Sequence, residues 1–168
     1  MACDHSHFAI RDLFRDPQWQ ASLPVLIDDF NSLLLETLNL KSNLGDADYW
    51  RDRSYIDQPS ISDHSQNRNF QDWTVLVILC RDSWLGLISK DHLKAFYYAE
   101  TWMLQPFPIF KRLAFFAATY EAIVPVELAY KWLLADDAWW LWSVETQREV
   151  MRLIVHLGGA FTTEQVSD

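Results

Sequence analysis

The stretch FQDWTVLVILCRDSWLGL, residues 70–87, decides the fold. Within it Trp73, Leu76, Val77, Cys80, Trp84 and Leu87 recur at three- and four-residue steps, the spacing that brings side chains onto one face of an α-helix. Val75 and Leu79 widen that stripe, so the helix is expected to be covered on more than one side.

The same period continues in both directions. Towards the N-terminus, Leu23, Leu26, Ile27, Phe30, Leu34 and Leu38 predict a helix from about 22 to 41, with Ser22 as its cap and Pro24 in its first turn. Phe8, Ile10, Leu13 and Phe14 suggest a shorter helix before it that stops at Asp16 and Pro17. Towards the C-terminus, four shorter helical segments are expected at about 90–104, 109–121, 126–134 and 144–157. Their boundaries are marked by Ser89, by Pro106 and Pro108, by Pro125 and by Ser143. Composition agrees, because only 4 Gly and 6 Pro in 168 residues leave few turns for a β-sandwich or barrel.

The expectation is therefore an all-α chain of one domain, half of whose residues are hydrophobic. N-terminal helices occupy about 1–42, a long polar loop 43–69, helical repeats 70–157 and a tail 158–168. The repeat reading rests on the likeness of Ala95-Phe96-Tyr97 with Trp102-Met103-Leu104 to Leu128-Ala129-Tyr130 with Trp132-Leu133-Leu134. Pairs of helices at a spacing of about 30 to 36 residues are the mark of a HEAT- or TPR-like α-solenoid, and an irregular bundle is the alternative. The loop contains Tyr49, Trp50, Tyr55 and Ile56, residues that disordered tracts lack, so it is read as ordered and held by them. Gly158-Gly159 followed by Thr162-Thr163-Glu164-Gln165 reads as a helix stop and a new capping box, which suggests a chain cut from a longer array.

Charge and motifs narrow the function. A net charge of −9 disfavours nucleic acid and anionic membrane, because Asp46, Asp48, Asp52, Asp57 and Asp63 are interleaved with Arg51, Arg53 and Arg68. There is no signal peptide pattern and no apolar run long enough to span a membrane, and two isolated cysteines make no disulfide framework, so the cytoplasm is expected. No cofactor motif occurs: GxGxxG, the Walker loop, GxSxG and HExxH are all missing. Cys3, Asp4, His5 and His7 are metal donors without the paired spacing of a structural zinc site, and no metal site is assigned. Cys80, with His64, His92 or His156 as candidate bases, lies in an apolar helix and reads as a core residue. Asp136 and Asp137 read as solvated turn residues or caps.

Two groups remain as candidate binding residues. Arg51, Arg53, His64, Asn67 and Arg68 supply the polar loop with hydrogen-bond donors for a phosphate or carboxylate, against the plainer role of satisfying the loop's own carbonyls. Trp139 and Trp142 belong to a set of nine tryptophans that is mainly core, but an extended 139–142 segment would leave at least one of them exposed as an anchor for a partner.

Residues 52–62, DRSYIDQPSIS, running on through His64, Gln66, Asn67 and Arg68 to Asp72-Trp73, resemble a stretch of very large bacterial proteins. So do residues 106–114, PFPIFKRLA, and Trp139-Trp140-Leu141-Trp142. The resemblance covers roughly residues 50–157 and implies a helical-repeat region beside a nucleotide-hydrolysing or sirtuin-like effector, in phage defence. No effector motif is present in this chain. The expected function is a non-catalytic protein-interaction, scaffold or sensor module with a protein partner. The alternative is a small helical enzyme or ligand-binding protein with a pocket between the 46–69 loop and the Trp-rich helices, using His64 with an Asp.

Overall fold

The computed structural model describes residue 10 and residues 12–67 and 71–158, and the secondary structure there is helical apart from one isolated bridge between Asp48 and Arg51. Helix α1 spans Pro17–Ser22. Asp16 caps it, its Oδ1 accepting the Gln18 N–H at 2.7 Å, and Pro17 fills the first position, where a missing N–H costs nothing. A 3-10 turn, Leu13–Arg15, ends at Asp16 as the sequence suggests, and Asp16 and Pro17 in addition start α1. Ser22 does not cap either: its hydroxyl donates to Gln18 O at 2.9 Å, and Pro24 lies in a 3-10 turn, Leu23–Val25. The expected helix from 22 therefore begins later, as α2, Ile27–Asn43.

The loop carries a single helical turn, α3, Ser54–Asp57. After a 3-10 turn at Asp72–Thr74, α4 runs Val75–Ile88 and buries Val77, Leu79, Cys80, Trp84 and Leu87, together with Arg81 and Ser83. It packs on α2 and on the Leu23–Val25 turn. Gly86 permits that approach, since a Cβ there would meet Pro24 Cγ at 2.6 Å. Asp91, not Ser89, caps α5, His92–Leu104, by accepting the Lys94 N–H at 2.9 Å. The Trp84 indole donates to Ala95 O at 2.7 Å and joins α4 to α5.

A short turn returns α5 into α6, Pro108–Ala117, the central helix, every residue of which is buried. A helix covered all round is expected to be apolar, so Lys111 and Arg112 within it must find partners. After it come α7, Val126–Leu133, which packs on α8, Ala135–Trp142; and α9, Gln147–Leu157, which packs on α8 and folds back onto α6. The core holds Trp84, Trp102, Trp140, Phe110 and Phe115 with essentially no exposure. Each such indole contributes about 4 to 6 kcal/mol of apolar burial at ~25 cal/mol/Å². Among the described residues no helix is long and apolar enough to cross a membrane.

Candidate functional site

Arg112 organises a buried polar frame beneath the loop. Its Nε donates to Glu149 Oε2 at 2.8 Å and its Nη2 to Glu149 Oε1 at 3.2 Å, a forked pair of α6 with α9. The remaining donors reach the loop, Nη1 to Ser54 Oγ at 3.1 Å and Nη2 to Gln58 O at 2.9 Å. Glu149 Oε1 also accepts the Ile61 N–H at 3.0 Å. Asp52 Oδ1 accepts the Ser54 N–H at 2.9 Å, and its Oδ2 takes the Ile109 N–H at 2.6 Å at the start of α6, where Phe107 supplies no side-chain cap. A carboxylate is well placed at that positive helix end.

Glu145, between α8 and α9, brings a third carboxyl to this frame. It accepts backbone N–H groups of Asp52 and Arg53, while its Oε2 is buried without a hydrogen-bond partner among the described residues. Burial, and then the negative charge of Asp52, push this carboxyl up to about 7. Burial also raises Asp52 above the usual carboxylate range. Three buried carboxyls share one guanidinium, so holding a proton on one of them relieves the excess negative charge.

On the outer side of the frame the loop and α8 meet through aromatic rings. Trp50 stacks on the buried Trp140 at 5.6 Å and meets Trp139 edge-on at 5.1 Å, and Tyr49 packs against Trp50 at 4.5 Å. Trp50 and Trp139 remain 45% and 48% exposed, and Trp142 is 80% exposed. Trp139 and Trp142 are three apart on a helix and so share its outer side, and both are exposed, where an extended segment would leave at least one of them so.

The first turn of α8 is left-handed. Asp136, Asp137 and Ala138 have φ of 53°, 55° and 60°, a conformation costing roughly 1–2 kcal/mol per non-glycine residue. Asp136 is where that cost is offset: its Oδ2 accepts from Trp140 Nε1 at 2.5 Å and from Tyr49 OH at 3.4 Å. Behind the rings Lys111 Nζ lies 5.8 Å from the Tyr49 ring centre and 5.5 Å from that of Trp140, and it donates to Met103 O. Burial lowers the Lys111 pKa, partly countered by Asp136. The inner ring faces already hold a cation.

The polar loop residues singled out from the sequence do not gather at one point. Asn67 is turned inward, its Nδ2 donating to Ser60 O at 2.9 Å and Ser62 O at 3.2 Å and its Oδ1 accepting the Ser60 N–H at 3.0 Å. Exposed Arg51 lies 4.0 Å from Asp48, and exposed Arg53 sits at φ 60° ahead of α3. His64 is exposed, its Nδ1 accepting the Gln66 N–H at 3.1 Å, and no carboxylate among the described residues pairs with it. Arg68 lies outside the described residues, as do Cys3, Asp4, His5, His7 and the segment 162–165. Cys80 is buried, and burial pushes its thiol up, away from nucleophilic use.

Sequence reasoning overlooked Asp52, Arg112, Glu145 and Glu149, which pin the loop. Tyr49 and Trp50 help hold it, but Ile56 is half exposed. The visible signal was two cations, Lys111 and Arg112, inside a strongly apolar helix. A separate cavity of about 180 Å³ lies between α2 and α5, lined by Asp28, Asn31, Leu35, Tyr98, Trp102 and Phe110 among others. Its Asp28 and Asn31 already accept from Tyr98 OH and Trp102 Nε1. No protein-family model, curated protein or solved structure matches the chain.

Proposed function

We propose that this chain is a non-catalytic docking module, a scaffold or sensor part that engages a protein partner through the face formed by Trp50, Trp139 and Trp142. The observation that carries the reading is the exposure of three indoles, Trp50, Trp139 and Trp142, the first two in edge-on contact, when the indoles of α4 and α5, Trp84 and Trp102, are buried. Tryptophan is the side chain most enriched at binding hot spots, because it buries a large rigid area at low entropic cost. The frame below gives the face its rigidity without placing a reactive group on it. Helices that fold back in pairs fit the short HEAT- or TPR-like solenoid, and so fit a helical-repeat region of a larger bacterial assembly whose effector lies elsewhere.

The enzyme or ligand-binding reading comes second. Its acid-base pair finds no support at His64, and a small ligand would have to use the α2–α5 cavity instead. Affinity purification of the tagged chain from its host, with mass spectrometry, separates the two. A stoichiometric protein partner supports docking, and a chain that returns alone and protects its α2–α5 cavity with a metabolite contradicts it.

A further inference from the structure

The aromatic face has a chemical preference that can be read from what already binds it. Lys111 approaches Tyr49 and Trp140 from inside, so the inner faces of this cluster are occupied by an ammonium group. The outer rings, Trp50, Trp139 and Trp142, have no such companion among the described residues. Ring faces attract cations through their quadrupole, and neighbouring carboxylates add their own attraction for a positive group. Asp136 and Asp137 supply these from the first turn of the helix that carries Trp139 and Trp142, and both are exposed. Asp137 makes no ion pair among the described residues. Of the loop's own cations, Arg51 is shared with Asp48, while Arg53 precedes α3. The whole chain carries a charge of −9, which steers positive partners towards it.

We infer that this face docks an arginine- or lysine-bearing segment of a partner protein, a cationic side chain lying on Trp139 and Trp142 with Asp137 beside it. This rests on the docking reading and names its partner's chemistry. The left-handed turn then has a use, because it brings Asp136 against Tyr49 and Trp140 and leaves the carboxylate of Asp137, next along the chain, exposed.

The test is an NMR titration of the full chain, following tryptophan indole N–H signals, with capped Gly-Arg repeat peptides and the same peptides bearing citrulline, the uncharged isostere. The arginine peptide is expected to shift the Trp139 and Trp142 signals saturably, and the citrulline peptide to bind about tenfold more weakly. Asp137→Asn, which tolerates the left-handed backbone, should weaken the arginine peptide about three- to fivefold with unchanged indole dispersion. Equal binding of both peptides overturns the cation inference and leaves an apolar docking face standing. Absence of any shift at these indoles with either peptide overturns it too, and the docking reading then stands or falls on partner capture alone.

Discussion

Arg112 and Glu149 meet in a forked ion pair, 2.8 Å and 3.2 Å, at which Arg112 has no exposure and Glu149 only 2%. This one contact closes the central helix onto the last one and, through Gln58 O and the Ile61 N–H, onto the loop that carries Trp50. Removing one partner leaves the other charge buried alone. Arg112→Ala should therefore cost about 3–5 kcal/mol in urea unfolding, with Glu149→Gln costing less because its amide still accepts from Ile61. A loss below about 1 kcal/mol for Arg112→Ala would show that the pair does not hold the frame.

Glu145 gives the molecule a pH dependence of determined sign. Its carboxyl lies at about 7 in the folded chain against 4.5 ordinarily, so below about 4.5 both folded and unfolded chains hold the proton. Between these values only the folded chain does, and the stability it contributes at low pH is lost as pH rises through the window. Asp52 acts with the same sign. The wild type should thus lose stability relative to Glu145→Gln between pH 5 and pH 7.5, in paired urea titrations. A constant difference across that range would place the proton elsewhere.

Helix periodicity made α2, α4, α5 and α6 legible, because burial of one face leaves its mark every three or four residues. It failed where local chemistry outweighed the pattern. Asp16 followed by Pro17 is read as a stop, and it does end the Leu13–Arg15 turn, but its carboxylate on Gln18 N also starts α1. The 135–142 segment escaped because three left-handed residues break the ordinary period, and no glycine announces them. The frame was illegible for a different reason: Asp52, Arg112 and Glu149 are far apart in sequence, and only tertiary contact reveals that their charges answer one another.

Gly86 should resist substitution. A methyl group at this position would press on Pro24 Cγ at 2.6 Å, between α4 and the turn that leads into α2. Overpacking of this kind costs typically about 1–3 kcal/mol, outweighing the gain in helix propensity from alanine. Thermal unfolding of Gly86→Ala measures it, and an unchanged or higher midpoint would mean that the two elements separate freely.

Asn67 clamps the loop by three hydrogen bonds to Ser60 and Ser62. Asn67→Ala should lower stability by about 1–3 kcal/mol and open the 60–67 segment to protease while leaving the helical circular dichroism intact. Cleavage at the wild-type rate would assign loop order to the Arg112 frame alone.

The two exposed indoles of α8 should be dispensable for folding. Trp139→Ala and Trp142→Ala are expected to change unfolding free energy by no more than about 0.5 to 1 kcal/mol, whereas Trp140→Ala should cost about 3–5 kcal/mol. Similar losses at all three would make the cluster a part of the core.

The docking face itself is tested most directly by photocrosslinking in the host cell, with a benzophenone side chain placed at Trp142 or, as control, at Leu93, which is equally exposed on α5. One discrete crosslinked protein is expected from position 142 and none from position 93. Crosslinks of equal yield and identity from both positions, or none from 142, would contradict a partner site on the aromatic face.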